Sequence, residues 1–405
     1  MIVSRPMDNS DQRRQREKAV QTTVPDARSQ FKLGGNQGVL PSQAIEVLIA
    51  RRNIRGKQDG EILKNQIQPA SIDLRLAKKC YRVRASFLPG KFRTVEQHLK
   101  EFVAHELNLA GEGAVLERGC FYVAELQELL TLPESYNAAA NPKSSTGRLD
   151  VFTRLISDNS EVFDWVEGGY DGPLFVEICP ITFSIRAREG SRLNQLRFLR
   201  RTSGQHRYDR PAIDDKTLEK LHKKIGIVSE EKPSIRNGLN VRVQLAGSKR
   251  NEIVGYKALK RANVVDVDRV ASHRAKDFWE PIRANSKGQL ILEPSEFYIL
   301  ASKEKMQVPP EYAAEMAPVD PMMGEFRAHY AGFFDPGFGH MPNGQHGSRA
   351  VLEVRSHDVP FALEDGQFIA RLIYERMTEK PDLIYGRDLK SNYQGQGLKL
   401  SKHFK

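Results

Sequence analysis

A short segment concentrates groups that bind phosphate. Residues 142–148 read Pro-Lys-Ser-Ser-Thr-Gly-Arg and place two cations, three hydroxyls and a glycine together. Hydroxyls, backbone amides and fixed cations are what a polyphosphate needs from a protein. The GxxxxGK[ST] spacing of a Walker A loop is absent. Because Ser, Thr and Gly together are also typical of a turn, the segment indicates either a phosphate site or an ordinary turn.

Two glutamates lie inside apolar, strand-like runs. Glu177 lies in PLFVEICP (173–180), and Glu353 lies in AVLEV (350–354). If such a side chain points inward, burial raises the pKa of its carboxyl and favours proton exchange near neutral pH. If it points outward, it is an ordinary surface residue of a two-faced strand. Alternation alone does not decide between these interpretations, but the matched pair favours the first.

The last twenty-one residues, 385–405, combine aromatic, amide and cationic side chains with several glycines. Such a tail is suited to close over an anionic ligand and exclude water. The alternative is an ordinary frayed terminus.

An internal repeat shows which elements must position these groups. Segment 115–136 resembles 291–312 at an offset of 176 (292 − 116), and the same offset carries Glu177 to Glu353. One offset held over this length predicts two copies of one domain. The runs 71–76, 114–124 and 174–178 read as short strands, so each copy is expected to be a β-barrel or jelly roll.

The predicted organisation has five parts and few short helices. A helix is expected at 42–52, capped by Ser42, and another at 217–224. The parts are a polar leader at 1–35, repeat 1 at 36–200, a charged linker at 201–234, repeat 2 at 235–380 and a closing tail at 381–405.

Composition narrows the class of protein. The 405 residues contain no run of about 18 apolar residues, so no membrane span is expected. Three separated cysteines and the absence of a signal-peptide core favour a reducing cytoplasm. Neither HExxH nor the zinc deaminase signature occurs, so no zinc is expected. The net charge of +11 favours an anionic partner.

Taken together, the segments resemble the dCTP deaminases, relatives of the trimeric dUTPases. The resemblance rests on three segments of copy one: 68–76 (QPASIDLRL), 143–148 (KSSTGR) and 174–177 (LFVE). Copy two contributes 335–338 (DPGF) and 351–353 (VLE), and the tail contributes Tyr385 and 393–397 (YQGQG). The doubled length resembles a two-repeat branch of that family. It implies a mainly β protein with two tandem dUTPase-like distorted β-barrel or jelly-roll domains, and a trimer-like or pseudo-trimer-like self-association.

The resemblance also implies a reaction. A glutamate would activate water to attack C4 of cytosine in dCTP, giving dUTP and ammonia for deoxypyrimidine nucleotide synthesis, without zinc. Magnesium would arrive on the triphosphate and take no ligand from the protein. The catalytic residues implied are Glu177 as general base, with Ser144 and Arg148 orienting the water and the glutamate. The implied substrate contacts are Lys143, Ser145, Thr146, Gly147, Tyr385, Lys390 and Gln396, with Asp335 and Glu353 as second-repeat contributors.

Several departures keep alternatives open. Lys143 stands where the family has Arg, which keeps the positive charge but loses the two-pronged guanidinium. Copy two reads Ala-Pro-Val-Asp-Pro-Met-Met-Gly at 317–324 in place of the polar segment, so copy two is expected to lack a complete site. The family's intervening aspartate matches either Asp158 or Glu167. A pure dUTPase is disfavoured, but a bifunctional enzyme that releases dUMP stays open. A non-catalytic basic nucleic-acid-binding protein is the alternative from another class, although no recognition motif supports a specific nucleic acid.

Overall fold

The computed structural model describes residues 36–201, 208–247, 249, 251–318, 326–329, 332–340, 347–356, 358–389 and 393–405. The predicted leader, the divergent segment of copy two from 319 to 324, and Lys390 lie outside the described residues. Within the described ranges the chain is mainly β with four short α-helices, which confirms the predicted fold class. Each of these helices is too short or too polar to cross a bilayer.

The first half forms two main sheets. Its strands are β1 (Gly38–Val39), β2 (Ile54–Gly56), β3 (Ile72–Leu74), β4 (Leu76–Val83), β5 (Val103–Asn108), β6 (Ala114–Leu116), β7 (Phe121–Thr131), β8 (Tyr136–Pro142), β9 (Val151–Ser157), β10 (Trp165–Val166), β11 (Asp171–Pro180), β12 (Ile185–Ala187) and β13 (Asn194–Arg200). Its helices are α1 (Ser42–Ala50), α2 (Val95–Phe102) and α3 (Ser144–Gly147), with 3-10 turns at Lys57–Asp59 and Lys64–Gln66. One sheet runs β1-β13-β8-β10 with β3 on β13, and the other runs β5-β4-β7-β11-β9 with β2 on β7.

The second half repeats this plan. Its elements are α4 (Asp215–Ile225), β14 (Leu239–Arg242), β15 (Ile253–Ala258), β16 (Val265–Asp266), a 3-10 turn (Ala275–Asp277), β17 (Trp279–Arg283), β18 (Gln289–Leu292), β19 (Phe297–Met306), β20 (Tyr312–Pro318), β21 (Phe326–His329), β22 (Phe333–Phe334), β23 (Ser348–Ser356), β24 (Phe361–Glu364) and β25 (Phe368–Arg376). The sheets run β14-β25-β20-β22, β17-β15-β19-β23-β21 and β18-β24, while β16 joins the first half in a small β16-β12-β6 sheet.

The repeat holds at the level of strand register. Glu177 on β11 lies opposite Val123 on β7, and Glu353 on β23 lies opposite Ile299 on β19. In the first copy the Tyr122 hydroxyl accepts a hydrogen bond from a backbone amide five residues earlier at 2.9 Å, and the Tyr298 hydroxyl does the same. The two copies therefore fold alike around the same hairpin.

The halves pack against each other through a shared core and buried ion pairs. Trp279, Phe297 and Val351 of the second half belong to the core of the first. Arg197 of β13 is fully buried and its Nη1 lies 2.8 Å from a carboxylate oxygen of Glu375 on β25. The interface between the halves is therefore fixed and can support a site built from both.

The segment predicted as a linker is largely part of the second half. Helix α4 begins after Asp214, whose carboxylate accepts a hydrogen bond from the Thr217 amide at 2.8 Å. Leu218 and Ile227 are buried in the second core. The charged side chains that indicated a linker belong to the exposed face of an amphipathic helix. The other predicted helix, α1, ends at Ala50. Ser42 is the first residue of this helix, and no side chain makes a capping hydrogen bond at this end.

Candidate active site

A cavity of about 180 Å³ opens between the two halves. The first half contributes Gln68, Pro142, Lys143, Ser144, Ser145, Gly147, Arg148 and Gln195. The second half contributes Met316, Gly332, Phe333, Phe334, Asp335, Phe338, Val351 and Glu353. The chain's end contributes Tyr385, Leu389, Tyr393, Gln396 and Lys402. The cavity therefore unites the polar segment of copy one, the glutamate strand of copy two and the tail.

The polar segment enters the cavity as a single helical turn, α3. The Lys143 carbonyl accepts hydrogen bonds from the amides of Thr146 and Gly147 at 2.8 and 3.0 Å. This turn leaves Lys143 and Ser144 partly exposed at the cavity wall. Thr146, predicted as a phosphate contact, is 2% exposed and does not line the cavity, because the turn directs it into the protein.

Arg148 is held by the tail at the centre of the site. Its Nη1 donates to Gln396 Oε1 at 3.1 Å and to the Lys399 carbonyl at 3.0 Å. Its guanidinium lies 3.9 Å from the ring centroid of Tyr393, which is cation–π distance. Its Nε lies 3.8 Å from Glu353 Oε1 and has no hydrogen-bond partner among the described residues. The tail therefore aims Arg148 at Glu353.

Glu353 is the carboxyl that faces the polar segment. It is 8% exposed, and burial raises its pKa to about 8, with Arg148 opposing the rise. Arg355, two residues along the same face of β23, forms an ion pair with Asp150 at the end of the polar segment. The strand and the segment are thus tied together. A carboxyl whose pKa lies this close to neutrality can both take up and return a proton.

The expectation that Glu177 shares the site needs correction. Glu177 is fully buried on β11, where its Oε1 accepts hydrogen bonds from Arg154 Nε at 3.2 Å and Nη2 at 2.8 Å. The Arg154 guanidinium in turn lies 3.7 Å from the ring centroid of Phe163. Glu177 is not among the residues lining the cavity. The polar segment of copy one faces the glutamate strand of copy two, so Glu353 lines this cavity and Glu177 does not.

Cations gather beside the polar segment. Lys143 forms an ion pair with the buried carboxylate of Asp73, and Arg192 Nη1 lies 3.8 Å from the same carboxylate. Lys402 lines the cavity, and burial, followed by the nearby charge of Lys143, lowers its pKa. Lys143 and Lys402 thus bring two cations to the cavity wall, and cations suit a polyphosphate. Sequence reasoning missed Arg192 and Lys402, since neither lies in a recognisable motif.

Aromatic side chains of the second half and the tail form another wall of the cavity. The rings of Phe334 and Phe338 are 4.9 Å apart, and Phe338 lies 5.9 Å from Tyr385 of the tail. Between them, Asp335 has a buried Oδ1 without a hydrogen-bond partner among the described residues, and burial raises its pKa to about 6. Gly337 adopts φ 100°, and a Cβ there would lie 2.5 Å from Ile384, so the turn and the tail fit closely. These aromatic side chains and Glu353 line the same cavity.

Neither candidate for the intervening aspartate lines the cavity. Asp158 accepts a hydrogen bond from the Val95 amide at 2.7 Å, at the start of α2. Glu167 follows β10, whose pairing with β8 matches that of β22 with β20. Asp335 follows β22 in the same way, so Asp335 is the residue that reaches the site.

Comparisons with known proteins agree with this architecture. The family model of the 2′-deoxycytidine 5′-triphosphate deaminase (DCD) N-terminal domain matches residues 36–203, and that of the C-terminal domain matches 214–404. The crystal structure of 2′-deoxycytidine 5′-triphosphate deaminase from Agrobacterium tumefaciens is 50% identical, with a TM-score of 0.81, and the match covers 87% of this chain and 99% of that one.

Curated relatives match over shorter segments. A dCTP deaminase of Natronomonas pharaonis is 28% identical over 33% of this chain and 66% of its own length. A dUMP-forming dCTP deaminase of Methanosphaerula palustris is 29% identical over 28% of this chain and 56% of its own length. The chain thus spans between half and two thirds of the length of these relatives.

Proposed function

The chain belongs to the 2′-deoxycytidine 5′-triphosphate deaminase family in both of its halves, and on that premise we propose that it hydrolyses dCTP to dUTP and ammonia in the cavity between the halves. The observation that carries the proposal is the meeting of the Lys143–Arg148 segment with Glu353 in one cavity. Phosphate-binding groups and a proton-exchanging carboxyl line this one cavity, as the deamination of a nucleotide requires.

Glu353 is the general base of this proposal. In its ionised form it takes a proton from a water molecule as the water oxygen attacks C4 of cytosine. It returns this proton to N3, then takes the remaining proton from the hydroxyl formed at C4 and passes it to the leaving amine. The C4–N4 bond breaks as the C4 carbonyl forms, so that dCTP and water give dUTP and ammonia. Ser144 and Arg148 orient the water and the carboxylate, because both line the cavity beside Glu353 and Arg148 is already fixed by Gln396.

Lys143, Ser145 and Gly147 are placed to hold phosphate oxygens, and Lys402 adds a cation from the tail. Tyr385 and Gln396 complete the wall on the tail side. The described residues contain no group of three or more His, Cys, Asp or Glu side chains suited to a metal. We propose that magnesium arrives on the triphosphate and is held by phosphate and water oxygens.

A second product is favoured by one observation. Some relatives are named dUMP-forming, and here Asp335 is a second acidic residue that lines the cavity. A carboxylate beside the triphosphate is suited to activate water for its cleavage, which would give dUMP and pyrophosphate. All residues named in this proposal belong to one chain, and self-association stays a separate prediction.

The test is to incubate the protein with dCTP and magnesium and to resolve the products by ion-exchange chromatography, with ammonia measured in parallel. dUTP with equimolar ammonia supports the deaminase. dUMP with pyrophosphate and ammonia supports the bifunctional enzyme. Unchanged dCTP from folded protein would overturn both, and salt-sensitive binding to random DNA would then favour the nucleic-acid-binding alternative.

A further inference from the structure

Two pairs of opposite charges join the polar segment of copy one to the glutamate strand of copy two. In the first pair, Arg148 Nε lies 3.8 Å from Glu353 Oε1, and both residues line the cavity. In the second pair, Arg355 Nη2 contacts a carboxylate oxygen of Asp150. Asp150 follows Arg148 by two residues and Arg355 follows Glu353 by two residues, but neither lines the cavity. The proposed reaction therefore gives the second pair no chemical role.

The second pair is bonded to groups of both halves. Asp150 is fully buried, and its carboxylate also accepts a hydrogen bond from the Thr182 hydroxyl. The same hydroxyl accepts a hydrogen bond from Arg355 Nη2 at 2.9 Å. Arg355 Nη1 donates to the Ser295 carbonyl, and the guanidinium lies 5.9 Å from the ring centroid of Phe297. These contacts fix the position of Arg355, and hence of β23, against the first half.

Stability alone does not account for this pair. Asp150 has a φ of 56°, a left-handed conformation that costs residues other than glycine roughly 1–2 kcal/mol. Removing two charges from water also costs free energy, and apolar replacements of a buried ion pair are often equally stable. In the first half the position that matches Arg355 is Cys179 (355 − 176), which provides no cation. Of the two glutamate strands, only the one that lines the cavity carries this arginine.

The gap between Arg148 and Glu353 is wider than a hydrogen bond. A charge-assisted bond between these groups is about 2.7–2.9 Å long, and opposite charges attract strongly in a buried place, yet the gap is 3.8 Å. Arg148 is held on one side by Gln396 and the Lys399 carbonyl. Glu353 is held on the other side by β23, which Arg355 attaches to the first half. The surrounding contacts therefore keep the gap open.

We propose that Asp150 and Arg355 are positioning residues that hold Glu353 beside Arg148 but out of hydrogen-bond reach. The inference rests on the proposed function, in which Glu353 has to accept a proton. A direct hydrogen bond from Arg148 would favour the ionised carboxylate and so make it a weaker base. The second pair thus preserves the basicity of Glu353 without touching the substrate.

The charges around Glu353 are consistent with this role. Burial raises the pKa of Glu353 to about 8, Arg148 opposes the rise, and Asp150 adds to it. On the neighbouring strands, Ile299 and His329 lie opposite Glu353 in register. The other charged residues that line the cavity are Lys143, Asp335 and Lys402. The distance to Arg148 is therefore the quantity through which the second pair can change the base.

The test compares Arg355→Met with the matched control Arg188→Met. Arg188 also joins the halves, through hydrogen bonds of 2.8 and 2.9 Å to Asp266, and neither of these residues lines the cavity. kcat and KM for dCTP are measured as functions of pH, and half-maximal kcat/KM of wild type is expected near pH 8. In Arg355→Met the gap should close, so the midpoint should move to a proton concentration about tenfold higher or more. kcat should fall about tenfold or more, with KM near wild type.

The direction of the midpoint distinguishes positioning from simple electrostatics. Loss of the Arg355 cation without movement would shift the midpoint to higher pH, because a nearby cation favours a carboxylate. Arg188→Met should keep the wild-type midpoint and kcat, and Arg355→Lys should recover part of kcat because it keeps a cation opposite Asp150. A wild-type midpoint and kcat in folded Arg355→Met, or a midpoint at higher pH, would overturn the proposal.

A double variant covers the case in which Arg355→Met fails to fold because Asp150 is left buried and unpaired. Asp150→Asn with Arg355→Met leaves neither charge and keeps an acceptor for the Thr182 hydroxyl. This protein should fold and show the same fall in kcat and in the pH of the midpoint. Wild-type values in the folded double variant would overturn the proposal as well.

Melting gives a readout that does not require turnover. At pH 8, Glu353→Gln should raise the melting temperature more in the wild-type background than in the Arg355→Met or double-variant background. The reason is that the ionised carboxylate destabilises the fold only while it lacks a hydrogen bond from Arg148. This difference in a protein that leaves dCTP unchanged would refute the proposed function and keep the positioning role. Equal gains in an active enzyme would refute the positioning role alone.

Discussion

Exchanging the two matched glutamates for glutamine distinguishes the proposed general base from its counterpart in the first half. Glu353→Gln keeps the shape of the side chain but removes its ability to accept a proton. Arg148 is still held by Gln396 at 3.1 Å and by the Lys399 carbonyl at 3.0 Å, so the site is expected to stay assembled. Loss of a general base lowers kcat by about 10²–10⁴-fold, and dCTP binding should survive.

Glu177→Gln is the matched control. The amide oxygen introduced by this substitution can still accept a hydrogen bond from Arg154. The negative charge of Glu177, which now accepts two hydrogen bonds from Arg154 at 2.8 and 3.2 Å, is lost. A hydrogen bond to a charged group contributes about 1.5–3 kcal/mol, and solvent around the partly exposed Arg154 reduces this to about 1 kcal/mol. Turnover of dCTP should stay near wild type while the free energy of unfolding falls slightly.

The assay is steady-state ammonia release from dCTP, with circular dichroism melting on each variant. The reasoning would be refuted by near-normal kcat in Glu353→Gln, or by loss of turnover in a folded Glu177→Gln. The second outcome would return the general base to Glu177 and require the cavity between the halves to serve another purpose.

Four further results are expected. The pKa of Glu353 is raised from 4.5 to about 8. Because the proposed base acts in its ionised form, kcat/KM should rise with pH up to about 8 and then level off. A profile already flat from about pH 6 would contradict this. The same raised pKa means that this carboxyl destabilises the fold progressively as pH rises from about 5 to about 8, so Glu353→Gln should melt higher than wild type at pH 8 and equally at pH 4. Lys402→Met should raise the KM for dCTP about tenfold, because it removes one cation from the predicted phosphate side. The affinity for deoxycytidine, measured by calorimetry, should stay unchanged. Equal losses of affinity for dCTP and deoxycytidine would indicate that Lys402 has only a structural role. Tyr393→Leu should lower kcat several-fold through loss of the cation–π contact that orients Arg148, and unchanged kcat would exclude that role.

Much of the fold is contained in local sequence patterns. The offset of 176 residues predicts two equivalent hairpins, and the structure places Glu177 and Glu353 in matching register. In the segment predicted as a linker, composition reports the exposed side of α4, whereas Leu218 and Ile227 attach this segment to the core. The apolar residues after Asp214 are the sequence signal for that buried side.

The site depends on how the two copies meet, and no local pattern contains that information. Both strand glutamates satisfy the same alternation, so the sequence does not distinguish the one that faces the polar segment. Arg148 and Glu353 meet because Arg355 pairs with Asp150 across the halves, a contact between residues 205 apart in sequence. Lys402 reaches the cavity only because the tail docks, with the Ser401 hydroxyl donating to the Ser145 carbonyl at 2.8 Å.

The central claim is that each chain builds one dCTP site, from the polar segment of copy one and the glutamate strand of copy two. Equilibrium binding of dCTP with magnesium to the inactive Glu353→Gln protein tests it most directly, with the number of sites counted per chain. We expect one site per chain, because copy two lacks the polar segment and Glu177 is covered by Arg154. Two equivalent sites per chain would contradict the account, as would the absence of any dCTP binding to folded protein.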